Sequence, residues 1–387
     1  MRLRLMATAA FGLEALVERE VMDLGYEEVL VENGKVVFSA DESAVCRANI
    51  WLRCADRVLI EMGAFPAGTF DELFERCKAL PWAEWIPEHG RFPVRGRSVK
   101  SQLHSVPDCQ AIVKKAIVES LKGKYRLERF PETGPLFPIE VSLVKDIATL
   151  TLDTSGDGLH KRGYRKVAGA APLKETLAAA LVRLSRWQPG RPLLDPFCGS
   201  GTIPVEAALI GCNIAPGAGR TFIAESWPAI PESLWSLARQ EARDMVRPGT
   251  VLDIEGSDAD GDAVKVAALS ATRAQVALNV RFREAAVRDI RPEGDFGCVI
   301  CNPPYGERLG DPRSAEQVYR DMKTAFAPLK SWSVFVLTPH TKFERLFGRA
   351  ADKRRRLYNG SIECTFYQYL GPLPPQRRTS PKEQRTP

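Results

Sequence analysis

Residues 193–202 read Leu-Leu-Asp-Pro-Phe-Cys-Gly-Ser-Gly-Thr, an apolar run that ends in an acid and continues into a glycine-rich turn. The apolar start favours a buried strand, and residues 203–210 favour a helix. Glycine permits the tight backbone of such a turn and lets a ligand approach it closely. The stretch therefore predicts a strand–turn–helix unit of an open α/β sheet, with a ligand site at the end of the strand.

The acid that ends this strand, Asp195, argues against a phosphate ligand. A dinucleotide-binding turn has the pattern Gly-x-Gly-x-x-Gly, whereas only Gly-Ser-Gly is present here. A carboxylate repels a phosphate but attracts the ammonium and sulfonium groups of S-adenosylmethionine. Together with the sequence Asn-Pro-Pro-Tyr about a hundred residues later, this predicts an S-adenosylmethionine site at the turn, formed by Asp195, Phe197, Gly199, Gly201 and Thr202.

Two further acids follow runs that are predicted to be the next strands. Val251–Glu255 precedes Asp258, and Phe282–Ala286 precedes Asp289. An acid at the end of the second strand typically binds ribose hydroxyls, which we assign to Asp258, and Asp289 can accept a hydrogen bond from the adenine amino group. Each acid taken singly could instead be solvated or cap a helix, as we expect for Asp260. Their order along the chain favours a cofactor site.

About a hundred residues after the glycine turn, Asn302-Pro303-Pro304-Tyr305 follows an apolar run, Phe296–Cys301. Two prolines cannot continue a central strand, so the chain must leave the sheet there. The carbonyls of Asn302 and Pro303 can each accept an N–H, and the ring of Tyr305 can stack on a base. We predict that this corner holds a planar substrate by its NH2 group, with Asn302, Pro303 and Tyr305 as catalytic residues and Asn302 also bordering the cofactor. The alternative is a purely structural loop after a core strand.

The composition is that of a globular protein with ample core: 387 residues, 44% hydrophobic and 26% charged. This length predicts two or three domains. No apolar run approaches membrane-spanning length, and Glu14 and Glu18 interrupt the apolar region that a signal peptide would need. The nine cysteines form no disulfide framework, and the four histidines form no ligand cluster. We expect a cytoplasmic protein with no metal and no membrane partner.

The charge is unevenly distributed along the chain. Residues 1–88 contain 9 Lys/Arg and 16 Asp/Glu, whereas residues 89–130 contain 10 Lys/Arg and 3 Asp/Glu. Such a basic block is the electrostatic footprint of a nucleic-acid-binding face. A solvated helix face is the commoner meaning of a charged run, so charge alone leaves both interpretations open.

Within the basic block, the sequence resembles a THUMP domain, the RNA-binding module of thiouridine synthases, RNA methyltransferases and pseudouridine synthases. The matching residues are Phe92-Pro93-Val94, Arg97-Ser98, Ser101, Leu103, Ser105, Cys109-Gln110 and Lys114-Lys115-Ala116-Ile117. The resemblance implies binding of structured RNA through its backbone and shape. It makes Arg95, Arg97, Lys100, Lys114 and Lys115 the candidate RNA-binding residues.

Residues 160–370 resemble a class I S-adenosylmethionine-dependent methyltransferase. The glycine turn and the Asn-Pro-Pro-Tyr corner are the motifs that carry this resemblance. The run Leu159–Arg165, with residues 171–176, matches a segment that covers the cofactor and substrate pocket in one methyltransferase family. The whole chain resembles the bacterial THUMP-containing 23S rRNA guanine-N2-methyltransferase family. The resemblance implies methyl transfer to the exocyclic N2 of a guanine that has been flipped out of its stack.

Other functions remain open at this stage. Asn-Pro-Pro-Tyr also occurs in DNA adenine-N6 methyltransferases and in glutamine-N5 methyltransferases of release factors, although the THUMP-like half argues against both. The RNA partner could be tRNA in place of 23S rRNA. A non-catalytic RNA-binding assembly factor with a degenerate methyltransferase fold is the alternative from another class, and the intact acids and corner count against it.

The predicted fold is α/β: a Rossmann-like class I methyltransferase sheet with helices on both faces, preceded by α+β ferredoxin-like and THUMP domains. We place the ferredoxin-like unit at residues 1–60, the THUMP domain at 61–155, the methyltransferase domain at 156–370 and a disordered basic tail at 371–387. Helices are predicted at Gly12–Leu24, Glu42–Ala55, Phe70–Leu80, Asp108–Lys122 and from Pro172 to Trp187.

Overall fold

Two seven-stranded sheets form the framework of the computed structural model, which describes residues 2–165, 173–305 and 312–375, with residues 312–314 described by their backbone alone. The strands of the first sheet are β1 (Leu3–Ala9), β2 (Val29–Glu32), β3 (Lys35–Ala40), β4 (Ala55–Pro66), β5 (Val94–Val99), β6 (Ile139–Val144) and β7 (Ile147–Asp153). Its helices are α1 (Glu14–Asp23), α2 (Ser43–Trp51), α3 (Phe70–Lys78) and α4 (Val106–Tyr125).

Strand β4 joins the two N-terminal units into one sheet. The strand order is β2-β3-β1-β4-β7-β6-β5, in which only the β5–β6 pair is parallel. One part of β4 pairs with β1 and a later part pairs with β7, so the predicted boundary between residues 60 and 61 lies inside this strand. The predicted helix Glu42–Ala55 ends earlier, at Trp51. The backbone N–H groups of Arg53 and Cys54 instead donate to the carboxylate of Glu20.

The second sheet contains β8 (Leu193–Asp195), β9 (Ile254–Asp258), β10 (Arg281–Glu284), β11 (Cys298–Cys301), β12 (Ser333–Thr338), β13 (Lys353–Asn359) and β14 (Ile362–Tyr369). Its helices are α5 (Glu175–Leu184), α6 (Thr202–Gly211), α7 (Glu232–Asp244), α8 (Gly261–Arg273), α9 (Pro312–Phe326) and α10 (Phe343–Phe347). The order is β10-β9-β8-β11-β12-β14-β13, with β13 and β14 antiparallel to their neighbours.

This strand order confirms the predicted doubly wound architecture. The chain direction along the sheet reverses between β8 and β11, which makes the carboxyl ends of these two strands the topological switch point. Successive strand residues point to opposite faces, so Leu193 belongs to one apolar cluster and Leu194 to the other. Both faces of the sheet are therefore covered, as expected for a parallel sheet.

Two predicted elements are corrected by the structure. The second strand was expected at Val251–Glu255, but β9 starts at Ile254 and extends to Asp258, and Val251 is exposed. Gly256, which looked like a strand end, pairs with Phe282 of β10, and a Cβ on Gly256 would lie 2.7 Å from that ring. The helix expected from Pro172 to Trp187 spans Glu175–Leu184; Pro172 itself lies outside the described residues, as does the predicted tail beyond residue 375.

The connection between α6 and α7 fastens the methyltransferase domain to the N-terminal sheet. The backbone N–H of Gly217 donates to the carbonyl of Ile50 at 2.9 Å. The indole N–H of Trp227 donates to the carbonyl of Leu136 at 2.8 Å, and its ring stacks on Phe137 with centroids 4.8 Å apart. These polar and aromatic contacts fix the orientation of the two halves. Among the helices described here, none is long and apolar enough to cross a membrane.

Candidate active site

The glycine turn after β8 adopts the backbone that its sequence predicts. Gly199 and Gly201 have φ angles of 49° and 79°, both left-handed. A Cβ on Gly201 would lie 2.9 Å from the Cβ of Ala267, so this glycine is also required for the packing of α8. A Cβ on Gly199 would meet no atom within 4 Å, which leaves open space beside the turn. The turn thus has one packing glycine and one glycine beside which a ligand can lie.

The two acids nearest the turn have no cationic partner among the described residues. Asp195 is 1% exposed, and its carboxylate accepts a hydrogen bond from the N–H of Phe197 at 3.1 Å. Asp258 accepts from the N–H of Gly199 at 2.9 Å and from the N–H of Asp260 at 3.1 Å. Burial, aided by the charge of Asp258, raises the pKa of Asp195 well above its usual range. A cationic ligand would relieve this electrostatic cost, which fits S-adenosylmethionine.

The other predicted cofactor residues lie around the same edge of the sheet. Thr202 is the first residue of α6, and its hydroxyl is 3.4 Å from that of Ser200. Phe197 is half-buried against one of the two apolar clusters. Asp289 ends a 3-10 turn after β10 and is exposed, with Arg288 at 3.6 Å. Asp260 caps α8 by accepting from the N–H of Asp262, as predicted.

The Asn-Pro-Pro-Tyr corner leaves β11 at the switch point. Strands β8 and β11 pair in parallel with Leu194 opposite Val299, so Asp195 and Asn302 follow at the same edge of the sheet. Asn302 is 8% exposed, and its side-chain Oδ1 is buried without a hydrogen-bond partner among the described residues. An unpaired buried acceptor is rare in proteins, because it loses its hydration without compensation. An N–H group of a substrate would supply the missing partner.

Pro303 and Tyr305 are also buried at this corner. The hydroxyl of Tyr305 accepts a hydrogen bond at 2.9 Å from the side-chain amide of Asn359, the last residue of β13. The phenol is therefore anchored by a strand more than fifty residues away in sequence. Sequence reasoning missed Asn359, since nothing near this residue marks it as part of the site.

Residues 162–165, which precede the gap in the described chain at 166–172, contact the helix α6 that starts at the glycine turn and the helix α5. Glu206 of α6 accepts from the hydroxyl of Tyr164 at 3.0 Å and lies 3.4 Å from the guanidinium of Arg162. Arg165 lies 3.0 Å from the carboxylate of Glu175. Burial raises the pKa of Glu175 to about 7, against the opposing effect of Arg165. Sequence reasoning missed this buried network, because charged residues in a helix usually indicate a solvated face.

The predicted RNA-binding residues occupy two different environments. Arg95 and Arg97 are exposed on the edge strand β5, and Lys100 is exposed in the turn after it. Arg97 also donates to the hydroxyl of Ser142 at 2.9 Å and lies 3.5 Å from the carboxylate of Glu140. Lys115 is exposed on α4. Lys114, in contrast, pairs with Glu132 at 2.6 Å, donates to the carbonyl of Phe92 and lies 3.4 Å from the centroid of the Phe92 ring. Its ammonium group is engaged inside the protein.

Comparison with known families identifies the larger domain. Residues 162–368 match the RMKL-like methyltransferase domain, which is more than half of the chain. The chain belongs to the RMKL-like methyltransferase family. In this methyltransferase, residues 4–59 match the RlmL ferredoxin-like domain and residues 67–153 match the THUMP domain. These matches confirm the resemblance and the domain types predicted from the sequence.

Similar proteins match the methyltransferase over nearly its full length. The Bacillus subtilis (strain 168) protein named "Putative RNA methyltransferase YpsC" is 52% identical over 377 residues, which cover 97% of each chain. A crystal structure from Listeria monocytogenes str. 4b F2365, described as a predicted N6-adenine-specific DNA methylase, is 53% identical with a TM-score of 0.92 and covers 96% of this chain and 97% of that one.

A further solved structure bears on the cofactor. SMU.472, described as "a putative methyltransferase complexed with SAH", is 45% identical with a TM-score of 0.91, covering 96% of this chain and 98% of that one. SAH is the product that S-adenosylmethionine leaves after methyl transfer. The family, this neighbour and the unpaired acids of the site agree, so the cofactor of the methyltransferase is S-adenosylmethionine.

Proposed function

We propose that this methyltransferase acts on RNA and methylates the exocyclic N2 of a guanine in 23S rRNA, giving N2-methylguanosine. The observation that carries the proposal is the unpaired, buried Oδ1 of Asn302 at the switch point, in a chain that also has a THUMP domain. The RlmL-like N-terminal domain and the name of the Bacillus subtilis relative support RNA as the substrate.

Each part of the site has one task in the proposed reaction. Asp195, Asp258 and Asp289, with the glycine turn, hold the cofactor. When bound, S-adenosylmethionine supplies an activated methyl group. The target base is flipped out of its stack to reach the corner. The side-chain carbonyl of Asn302 and the backbone carbonyl of Pro303 then accept hydrogen bonds from the two N–H groups of the amine, which fixes its orientation.

Catalysis at this corner is mainly a matter of positioning, because the methyl group is already activated. Among the described residues, Oδ1 of Asn302 has no hydrogen bond that must break before it receives the substrate. The ring of Tyr305 is held by Asn359, which gives the flipped base a fixed neighbour on which to stack. These groups would also hold the N6 amine of an adenine, so the choice of guanine rests on the family resemblance.

The proposal is tested by methylation of unmodified nucleic acids with labelled S-adenosylmethionine. The full chain is incubated separately with 23S rRNA, tRNA and double-stranded DNA, and the labelled nucleosides are identified. We expect N2-methylguanosine in 23S rRNA only. N6-methyladenosine as the sole product would refute the guanine assignment, and label confined to tRNA would refute the rRNA assignment. Label confined to DNA would refute the RNA assignment altogether.

A further inference from the structure

We propose that the edge strand β13, together with the turn before α1, forms a second RNA-contacting surface at the rim of the active site. We call this surface the β13 platform and define it by Phe11, Lys353, Arg355, Arg356 and Tyr358. The inference rests on the proposed RNA substrate and adds the place where the RNA next to the target nucleotide is held. It is separate from the basic block around β5, which belongs to the other sheet.

The platform presents an aromatic pair directly beside the corner. Phe11 is 51% exposed, and its ring packs edge-on against Tyr358 with centroids 6.0 Å apart. The next residue, Asn359, donates to the hydroxyl of Tyr305. The half-buried Tyr358 and the anchor of the corner, Asn359, are thus adjacent residues at the end of β13, with side chains on opposite faces of the strand. Aromatic rings in such a place suit unstacked bases that flank a flipped nucleotide.

The turn that carries Phe11 is fixed against β13 by the backbone. Gly12 has a φ of 87°, and a Cβ there would lie 2.9 Å from the carbonyl oxygen of Arg356, so only glycine permits this approach. The N–H of Gly12 donates to the carboxylate of Glu14 at 2.8 Å. The guanidinium of Arg355 donates to the carbonyl of Gly12 at 3.3 Å. The N-terminal domain therefore contributes a rigidly held ring to the rim of the methyltransferase domain.

The platform also carries an excess of positive charge. Residues 353–356 are Lys-Arg-Arg-Arg. Arg354 pairs with Glu344, and Arg356 is 3.8 Å from Glu363, which also accepts from the hydroxyl of Tyr358. Within the described part of the chain, Lys353 and Arg355 have no acidic partner. Arg356 shares a face of β13 with Tyr358, whereas Lys353 and Arg355 lie on the other face. A strand edge with cations on both faces beside an exposed ring matches a nucleic-acid strand, which offers phosphates and bases together.

Charged residues on an edge strand can also serve only to block pairing with another sheet. The opposite edge of the same sheet shows what that task requires. On β10, Arg281 pairs with Asp253 at 2.7 Å and Arg283 pairs with Glu255 at 2.6 Å. On that edge, each of these two arginines is thus balanced by an acidic side chain. Protection of an edge therefore does not explain why Lys353 and Arg355 have no acidic partner among the described residues, where Arg355 donates only to the carbonyl of Gly12.

The test measures binding of a short, labelled, unstructured oligouridine to the full chain in the presence of SAH, over a series of salt concentrations. We expect Phe11→Ala and Lys353→Ala each to weaken binding, the first by about tenfold through loss of base stacking. Lys353→Ala should in addition flatten the salt dependence, because it removes the phosphate contact of an exposed cation that has no acidic partner in the described chain. The matched controls are Leu278→Ala and Arg281→Ala, which alter an exposed apolar residue and an exposed arginine at the opposite edge.

A second comparison separates stacking from general apolar contact. Phe11→Trp should restore oligouridine binding, whereas Phe11→Leu should not, although leucine is also apolar. Equal affinities and salt slopes for the platform and control variants would overturn the platform. Because no methyl transfer is measured, this result is independent of the proposed function. Weakened binding in a protein that makes no N2-methylguanosine would leave the platform standing and overturn the guanine assignment alone.

Discussion

The substitution Asn302→Ala tests the corner, since this side chain is predicted to hold the target amine. Oδ1 has no hydrogen-bond partner within the described chain, so truncation breaks no internal hydrogen bond. We therefore expect the free energy of unfolding to change by no more than about 1 kcal/mol, much less than for a typical paired core residue. Binding of S-adenosylmethionine should also be nearly unchanged, because the acids and the glycine turn remain.

The rate of methyl transfer should respond very differently. Loss of one positioned hydrogen bond in a closed site removes roughly 2–4 kcal/mol of transition-state stabilisation, which corresponds to a rate about a hundredfold lower or more. Asn302→Asp keeps an acceptor and the shape but adds a charge near Asp195. We expect it to retain partial activity, with a rate between those of the wild type and Asn302→Ala.

The assay is single-turnover methylation of unmodified rRNA with enzyme in excess, alongside titration of S-adenosylmethionine and thermal unfolding of each variant. Tyr305→Phe is a companion variant. It removes the acceptor of the buried Asn359 amide and should cost about 1–3 kcal/mol of stability, whereas Tyr305→Ala also removes the ring and should abolish turnover. If Asn302→Ala folds normally and keeps a near-normal single-turnover rate, the corner is only a structural loop and the mechanism is wrong.

Three further predictions concern the cofactor site, the RNA face and the pH dependence of stability. The variants Asp195→Asn, Asp258→Asn and Asp289→Asn should each weaken S-adenosylmethionine binding in a calorimetric titration, with the surface variant Asp253→Asn as control; unchanged affinity in all three would remove the site. Replacing Arg95, Arg97 and Lys100 together by Ala should reduce the slope of log affinity against log salt concentration for rRNA binding by up to roughly 2–3. Lys114→Ala should instead lower the unfolding temperature and leave this slope unchanged, because Lys114 pairs with Glu132. Burial raises the pKa of Glu175 to about 7, so the folded state keeps a proton that the unfolded state releases near pH 4.5. The free energy of unfolding should therefore fall by roughly 2–3 kcal/mol as the pH rises from 4.5 to 7. Glu175→Gln should make this decline smaller in thermal unfolding, while the buried carboxyl of Asp195, whose pKa is also raised, continues to contribute. An unchanged decline in that variant would assign it to groups other than Glu175.

The features that the sequence predicted well are local in the chain. The glycine turn after Asp195 and the prolines after Asn302 restrict the backbone directly, so a short stretch is enough to place each of them at the end of a strand. The domain types could be predicted for a related reason, because their motifs are continuous in sequence. Strand β9 was misplaced where a local rule failed, since Gly256 lies inside the strand to make room for Phe282.

The features that the sequence did not predict depend on contacts between distant residues. Asn359 anchors Tyr305 across 54 positions, and Glu206 bonds Tyr164 across 42 positions. Lys114 looked like a free cation, and only the fold shows that Glu132 lies beside it. A partner that far along the chain leaves no mark on the local pattern of either residue, so composition and periodicity cannot indicate it.

The contacts between the two halves bear on how a target nucleotide is chosen. Gly217 and Trp227 bond the methyltransferase domain to the N-terminal sheet, and the turn at Gly12 lies directly against β13. These contacts fix the distance between the exposed arginines of β5 and the corner at Asn302. Under the proposed function, an RNA held by the arginines of β5 must bridge a set span to the corner, and only a nucleotide at that span from the structured region can reach the amide of Asn302. Under the proposed function, selection of the target follows from RNA shape measured by a rigid protein, while the corner itself recognises only the amine.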